Sequence, residues 1–226
     1  MTDHSPTLNT DTNPRTDGMA SVLRESPAAH GVLLALFCLA TALILSLVDI
    51  VTRGPIADRG REDLYASLAQ VVPDEIHDNA MTDGAMTVTD AEAGAVTVYV
   101  ARRAGTPTGV AFEMTGQGYG GAIRVLLGID PNGELLGVRV LAHAETPGLG
   151  DKIEEAKSDW IHGFAGLSLS NPGPEGWKVK RDGGQFDQFS GATITPRAVV
   201  DAIHRGLEFY ARNRDTLLSA EETGSQ

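Results

Sequence analysis

Apolar residues are unevenly spread along this chain, and one segment holds a disproportionate share of them. From Gly31 to Ile50 the sequence reads GVLLALFCLATALILSLVDI, with no charge before Asp49. About 20 residues at ~1.5 Å rise cover the ~30 Å hydrocarbon core of a bilayer, so the pattern predicts one transmembrane helix. Some thirty mixed residues precede the run and no small-residue pair follows it, which argues against a cleaved signal peptide. Leu36 and Phe37 put bulk just before Cys38, where acylation of a lipoprotein needs small residues. The segment is apolar on every face, unlike the single stripe of a helix packed on a soluble core. Residues 1–26, rich in Thr, Asp, Asn, Ser and Pro without apolar periodicity, read as a disordered tail.

After the span the period changes twice. Between Arg61 and Val72, Leu64, Leu68 and Val71 or Val72 recur at helical spacing, and Pro73 stops the run, predicting a juxtamembrane helix. Alternating runs follow at Val96–Val100, Gly109–Met114, Ala122–Asp130 and Glu134–His143, which predict strands. The Pro131-Asn132-Gly133 turn joins the last two into a hairpin. From Asp151 to Phe164, Ile153, Ala156, Trp160 and Ile161 share one face of a short amphipathic helix. Thr195-Pro196 reads as a hydroxyl N-cap followed by proline at the first helical position. The helix from Pro196 to about Asn213 then buries Val199, Ala202, Ile203, Leu207 and Tyr210. The expected fold class is α+β: a single N-terminal transmembrane helix, then one domain with a largely antiparallel sheet flanked by helices. Its divisions are a tail (1–26), an anchor (27–52), a juxtamembrane helix and linker (53–80), the folded domain (81–213) and a C-terminal tail (214–226).

Composition narrows the chemistry. Eighteen Lys and Arg against thirty Asp and Glu leave a net charge of −12 over 226 residues, which lacks the basic footprint that nucleic acid requires. A single cysteine, Cys38, excludes an intrachain disulfide and any cysteine-built zinc or iron–sulfur centre. The six histidines are scattered without paired spacing, so no metal site is expected. The span holds no carboxylate cluster for conducting ions, and Asp49 sits at its boundary as an interfacial residue.

Two loops carry the candidate chemistry. Asp187-Gln188-Phe189-Ser190-Gly191-Ala192-Thr193 runs into the helix at Pro196. Gly191 and Ala192 leave room for a group to approach the backbone, hydroxyls flank them, and a helix N-terminus favours an anion such as phosphate. The same residues also suit a plain turn capped by Ser190, Thr193 and Thr195, and spacing alone leaves both readings open. The second loop, His143-Ala144-Glu145-Thr146-Pro147-Gly148-Leu149-Gly150-Asp151-Lys152, presents Leu149 between two glycines, where its side chain can lie against a flat ring. It matches neither nucleotide-binding glycine fingerprint. His143, Trp160 and Trp177 read as structural residues.

Together the stretch DxxSGAT and the loop ETPGLGDK resemble the covalent flavin-attachment motif and its companion loop in the G subunit of the Rnf electron transport complex. That family is related to the C subunit of the sodium-pumping NADH:quinone reductase. The resemblance runs from the membrane span through Asp78-Asn79 to the stretch WKVKRDGGQFDQFSGATITPRAVV between Trp177 and Val200. It implies an FMN-binding domain whose FMN is joined through its phosphate to the Thr193 hydroxyl by a flavin transferase that uses FAD and Mg²⁺. Ser190, Gly191, Ala192 and Asp187 complete the motif, with Asp187 orienting the loop or helping to activate the hydroxyl. Glu145, Thr146, Gly148 and Leu149 line the isoalloxazine or ribityl chain, and Lys152 is a candidate partner for the phosphate charge. No independent catalytic residue is expected.

The implied role is an electron relay in an ion-translocating complex working between ferredoxin and NAD, with membrane and iron–sulfur subunits as partners. The implied location is the bacterial inner membrane, with the flavin domain on the periplasmic side. Arg53, Arg59 and Arg61 after the span outnumber Arg15 and Arg24 before it, a slight bias against that orientation. The alternative reading is a membrane-anchored periplasmic ligand-binding or regulatory module without covalent flavin.

Overall fold

The structure, a computed structural model, describes residues 27–219. The expected N-terminal tail lies outside these residues, as does the end of the C-terminal one. The chain divides into two compact units, Met1–Gly60 and Arg61–Gln226.

In the first unit the backbone is helical from Pro27 onward, in a helix, α1, that spans Pro27–Val71. Its stretch His30–Thr52 is 23 residues long, enough to cross a membrane, and none of its apolar window is buried. Leu33, Phe37, Leu43, Leu47 and Ile50 are all more than half exposed. A helix that presents leucine and phenylalanine on every side needs an apolar surrounding, which fits single-pass anchoring. The separate juxtamembrane helix expected from Arg61 is the continuation of α1. The backbone stays helical between the two predicted segments although Gly54, Pro55 and Gly60, the poorest helix formers, lie there.

The second unit contains a five-stranded sheet in simple meander order, all antiparallel: β1 (Met86–Asp90), β2 (Gly94–Arg103), β3 (Thr106–Gln117), β4 (Ala122–Ile129) and β5 (Leu135–Ala142). The alternation that predicted β2 to β5 sorts their side chains onto two faces. Val98, Val100, Val110, Phe112, Val125 and Leu127 enter the main core, whereas Ala101, Ala111 and Leu126 point to the other side. Leu68 and Val71 at the C-terminal end of α1, with Val72 just after it, cover that second face, the residues the helical spacing singles out. Asn79 secures the edge, its amide donating to the Val100 carbonyl and its side-chain oxygen accepting from the Arg102 N–H. The hairpin between β4 and β5 turns where expected, with Asp130 accepting from the Asn132 and Glu134 N–H groups.

The main face is covered by a second long helix, α2 (Ile194–Ser219), which packs across β3 and β4. Its buried stripe includes Val199, Ala202, Ile203, Leu207 and Tyr210, as predicted. Phe209 meets Phe112 edge to face at 4.9 Å between ring centroids, worth about 1 kcal/mol beyond the area buried. α2 runs six residues past its expected end at Asn213, because Leu217 is still buried and Arg214 reaches the Pro131 carbonyl.

The amphipathic helix expected over Asp151–Phe164 is instead two 3₁₀ turns, Asp151–Ile153 and Asp159–Phe164. Glu154 leaves helical geometry, and Ser158 accepts a hydrogen bond from the Trp160 N–H while its hydroxyl donates to the Lys152 carbonyl. A serine side chain thus competes with the backbone and restarts the turn. Ile153 and Ile161 are buried as expected, but Ala156 is exposed.

Strand β1 was not expected, being short and half polar. Asp90 at its end anchors it: the carboxylate accepts from the Glu92 and Ala93 N–H groups, Arg212 and Asn213. These donors, Arg212 above all, hold the Asp90 carboxyl far below the usual carboxylate range. A depressed folded-state pKa contributes stability above the unfolded value of about 3.9, and that contribution is lost as pH falls through the folded value. Asp90→Asn should therefore lower the Tm of the full chain in detergent at pH 7. The gap to wild type should narrow as the pH falls below about 4. A gap independent of pH would assign the loss to packing.

Candidate functional site

The site is assembled from three segments that sequence separates widely: the β3–β4 hairpin, the 143–150 loop and the approach to α2. At the hairpin, the Gly118 N–H donates to the Gly121 carbonyl at 2.8 Å, and the tip sits against the 143–150 loop. A side chain at Gly120 would collide with the Ala144 carbonyl oxygen, so only glycine permits this contact.

Glu145 joins the three segments. It is 6% exposed, its Oε1 accepts from the Gly120 N–H at 2.8 Å, and its Oε2 accepts from the Thr195 hydroxyl. The expected N-cap role for Thr195 is thereby corrected. Ile194 is already the first residue of α2, Thr193 immediately precedes it, and the fully buried Thr195 side chain serves a tertiary bond instead. The Glu145 backbone is itself fixed, since its N–H donates to His143 Nδ1 at 3.1 Å while His143 Nε2 lies 2.8 Å from Glu154. With Nδ1 accepting, Nε2 carries the proton and donates to Glu154, which makes His143 structural.

The rest of the loop closes as a turn, Leu149 and Gly150 both donating N–H to the Thr146 carbonyl at 3.1 Å. Asp151 follows; the Gly148 N–H and then Lys157 hold its carboxyl below the usual carboxylate range. Lys157 lies 3.6 Å from it.

The 187–193 loop is held from behind. The Trp160 indole N–H donates to the Asp187 carbonyl at 2.9 Å, and Lys180 pairs with the Asp187 carboxylate at 2.6 Å. Trp160 also meets the buried Phe189 ring at 5.2 Å, so this tryptophan braces the loop as a structural residue. The Ala192 N–H returns to the Phe189 carbonyl, and Gly191 adopts φ +83°, a left-handed conformation that favours glycine. Arg197, on the first turns of α2, forms a two-pronged pair with Asp182.

Between these segments lies a cleft of about 480 Å³ lined by Tyr119, Glu145, Thr146, Leu149, Gly150, Gly191, Ala192, Thr193, Ile194 and Thr195. That volume is in the range of small-molecule sites. Six of the ten expected site residues line it: Glu145, Thr146, Leu149, Gly191, Ala192 and Thr193. Asp187, Ser190, Gly148 and Lys152 do not. Asp187 acts on the loop from its outer side, Gly148 supports the turn through Asp151, and Ser190 and Lys152 are exposed. Tyr119, Gly150, Ile194 and Thr195 also line the cleft and were not among the expected site residues. The one available signal for Tyr119 was an aromatic residue inside the glycine-rich string Gly118-Tyr119-Gly120-Gly121.

Comparison with known proteins gives this arrangement a class. A family described as FMN-binding domain matches residues 118–208, the stretch from the β3–β4 hairpin into α2 that contains every residue lining the cleft. A second family, described as the RnfG N-terminal region, matches residues 19–71. The fold and site thus define a protein with an FMN-binding domain behind an apolar N-terminal helix. The G subunit of the ion-translocating oxidoreductase complex of Cereibacter sphaeroides is 61% identical over 206 residues, covering 91% of this chain and 94% of that protein. The corresponding G subunit of Stutzerimonas stutzeri is 48% identical over 206 residues, covering 91% and 90%. The crystal structure of Shewanella oneidensis NqrC aligns with a TM-score of 0.46 at 21% identity, covering 68% of this chain and 74% of that one. The chain belongs to the family of G subunits of the ion-translocating oxidoreductase complex.

Removing the Glu145 carboxyl group strands two donors at once. Glu145→Ala should cost about 2 kcal/mol of stability, measured by denaturation of the full chain in detergent. Glu145→Gln, which can still accept from Gly120 and donate to the Thr195 oxygen, should cost less than half as much. Equal losses in the two variants would show that the geometry of these bonds is not what stabilises the site.

Proposed function

We propose that this chain is an electron-carrying subunit of a membrane-bound, multi-subunit ion-translocating oxidoreductase complex, with FMN attached through a phosphoester to Thr193. The observation that carries this reading is the position of Thr193. It stands at the cleft immediately before the first residue of α2, and no hydrogen bond occupies its hydroxyl among the described residues.

The cleft fits the group. The first turn of a helix offers N–H groups without intrahelical acceptors and a field that favours an anion, which suits a phosphate at Thr193. Leu149 and Ile194 supply apolar surface for a ring, and Gly191 keeps the backbone open beside them. When bound, FMN supplies the capacity to take up and release one or two electrons. The protein's share is placement. Glu145 ties the hairpin and the loop to α2, Leu149 packs near Gly191, and Asp187, pinned by Lys180 and Trp160, fixes the loop from outside. In attachment the Thr193 oxygen takes the FMN phosphoryl group from FAD: the pyrophosphate bond of FAD breaks, AMP leaves and the hydroxyl proton is released, a step that a flavin transferase carries out during maturation. The exposed Thr146 and the half-buried Thr193 leave the mouth of the cleft open to such an enzyme.

In this reading the folded domain lies on the periplasmic side, and a covalent bond keeps the cofactor from being lost there. Ion conduction belongs to partner subunits, because the His30–Thr52 span carries a single carboxylate, Asp49, near its end.

Co-expression with an active flavin transferase should give a band that fluoresces on a denaturing gel for wild type, fluoresces for Thr193→Ser at equal or reduced yield, and is dark for Thr193→Ala. A dark wild-type band beside a labelled control substrate rules out the covalent site. For orientation, a cysteine placed at the exposed Gly183 should react with a membrane-impermeant thiol reagent in intact spheroplasts. Labelling only after lysis places the domain in the cytoplasm.

A further inference from the structure

Among the described residues outside α1, the large apolar side chains that remain exposed are Tyr119, Leu149 and Ile194, and all three line the cleft. They come from three separate elements: the β3–β4 hairpin, the 143–150 loop and the start of α2. Isolated exposed apolar residues are ordinary, but a group of them gathered at one concavity marks a surface that something covers. Tyr119 stands apart from the other two in how it is held. Its backbone is fixed on both sides, by the Gly118–Gly121 bond and by the Gly120 N–H on buried Glu145, yet its side chain is 75% exposed. Its flanking residues cannot carry side chains: at Gly118 one would collide with Glu145 Oε1, at Gly120 with the Ala144 carbonyl. The hairpin therefore presents one flat ring from a rigid tip that is otherwise bare backbone.

The phenol contributes little to the fold, because it is mostly in water. A rigidly mounted aromatic ring beside an apolar cleft matches a planar aromatic ligand, for which offset stacking is the favoured geometry. We infer that Tyr119 is a positioning residue that stacks on the isoalloxazine ring and shields one of its faces from water. This inference rests on the flavin reading of the cleft.

The test uses the full-length chain in detergent as wild type, Tyr119→Phe and Tyr119→Leu, with matched Tm values to exclude misfolding. In flavinylated protein, the readout is quenching of the bound flavin's fluorescence by iodide. In protein made without the transferase, the readout is the Kd for free FMN. Tyr119→Leu is expected to raise iodide access several-fold and to weaken FMN binding about two- to tenfold, while Tyr119→Phe stays within about twofold of wild type. Unchanged iodide access and affinity in Tyr119→Leu overturn the inference and leave the Thr193 linkage standing. If wild type carries no covalent flavin, the affinity arm decides alone. A loss specific to Tyr119→Leu then supports the stacking role while the linkage fails, and no FMN binding to wild type overturns both.

Discussion

The site depends on one buried carboxyl group. Glu145 accepts from Gly120 on the β3–β4 hairpin and from Thr195 on α2, while its own backbone belongs to the loop between them. Each of these segments alone is a turn or a helix end, with exposed backbone and little packing of its own. Buried polar groups that lack partners are costly, so a bond that satisfies two donors from different elements also dictates where those elements sit. The cleft is the space left when the three are drawn together. No Lys or Arg forms an ion pair with Glu145 among the described residues, so the assembly relies on hydrogen-bond geometry and not on charge neutralisation.

A second constraint works from the outer side. Trp160 and Lys180 grip Asp187, Phe189 is buried, and Arg197 pairs with Asp182. The segment before Thr193 is therefore supported by core aromatics and by ion pairs whose residues do not line the cleft. The division leaves the inner surface to small residues, hydroxyls and a few apolar side chains. A loop held from behind can present its hydroxyl without spending that hydroxyl on its own structure. Thr195 is committed to Glu145, whereas Thr193, two residues earlier, is not.

How much of this the sequence discloses depends on the range of each interaction. The membrane span follows from an unbroken apolar run, and four of the five strands and the buried stripe of α2 from periods of 2 and 3.6, all of them local properties. β1 escapes such reasoning because its five residues, MTVTD, alternate weakly, and what fixes it is Asp90 meeting Arg212 across 122 positions of sequence. The Asp151–Phe164 segment has helical spacing of apolar residues, but Ser158 offers the backbone a competing partner at its centre. Thr195-Pro196 satisfies the rule for a helix start, and the rule fails by two residues because Glu145, fifty positions away, claims the hydroxyl. Six of the residues expected from the two loop motifs line the cleft. Tyr119 belongs to neither motif, and it reaches the cleft only because the hairpin meets a loop more than twenty residues onward.

These particulars share a direction. The elements that local pattern predicts form most of the scaffold; of the interactions it misses, Asp90 with Arg212 completes the sheet, whereas those of Glu145 with Gly120 and Thr195 build the cleft. A scaffold of meander sheet and one covering helix needs only period and burial, which many sequences supply. A site needs specific atoms from distant segments at fixed separations, and those are set by pairwise bonds such as Glu145 with Thr195. Thr193 stands on a supported loop, immediately before the first residue of the helix that covers the main face of the sheet. Mechanical stability of the fold and the placement of the cleft are then linked: whatever loosens α2 from the sheet also moves Thr193.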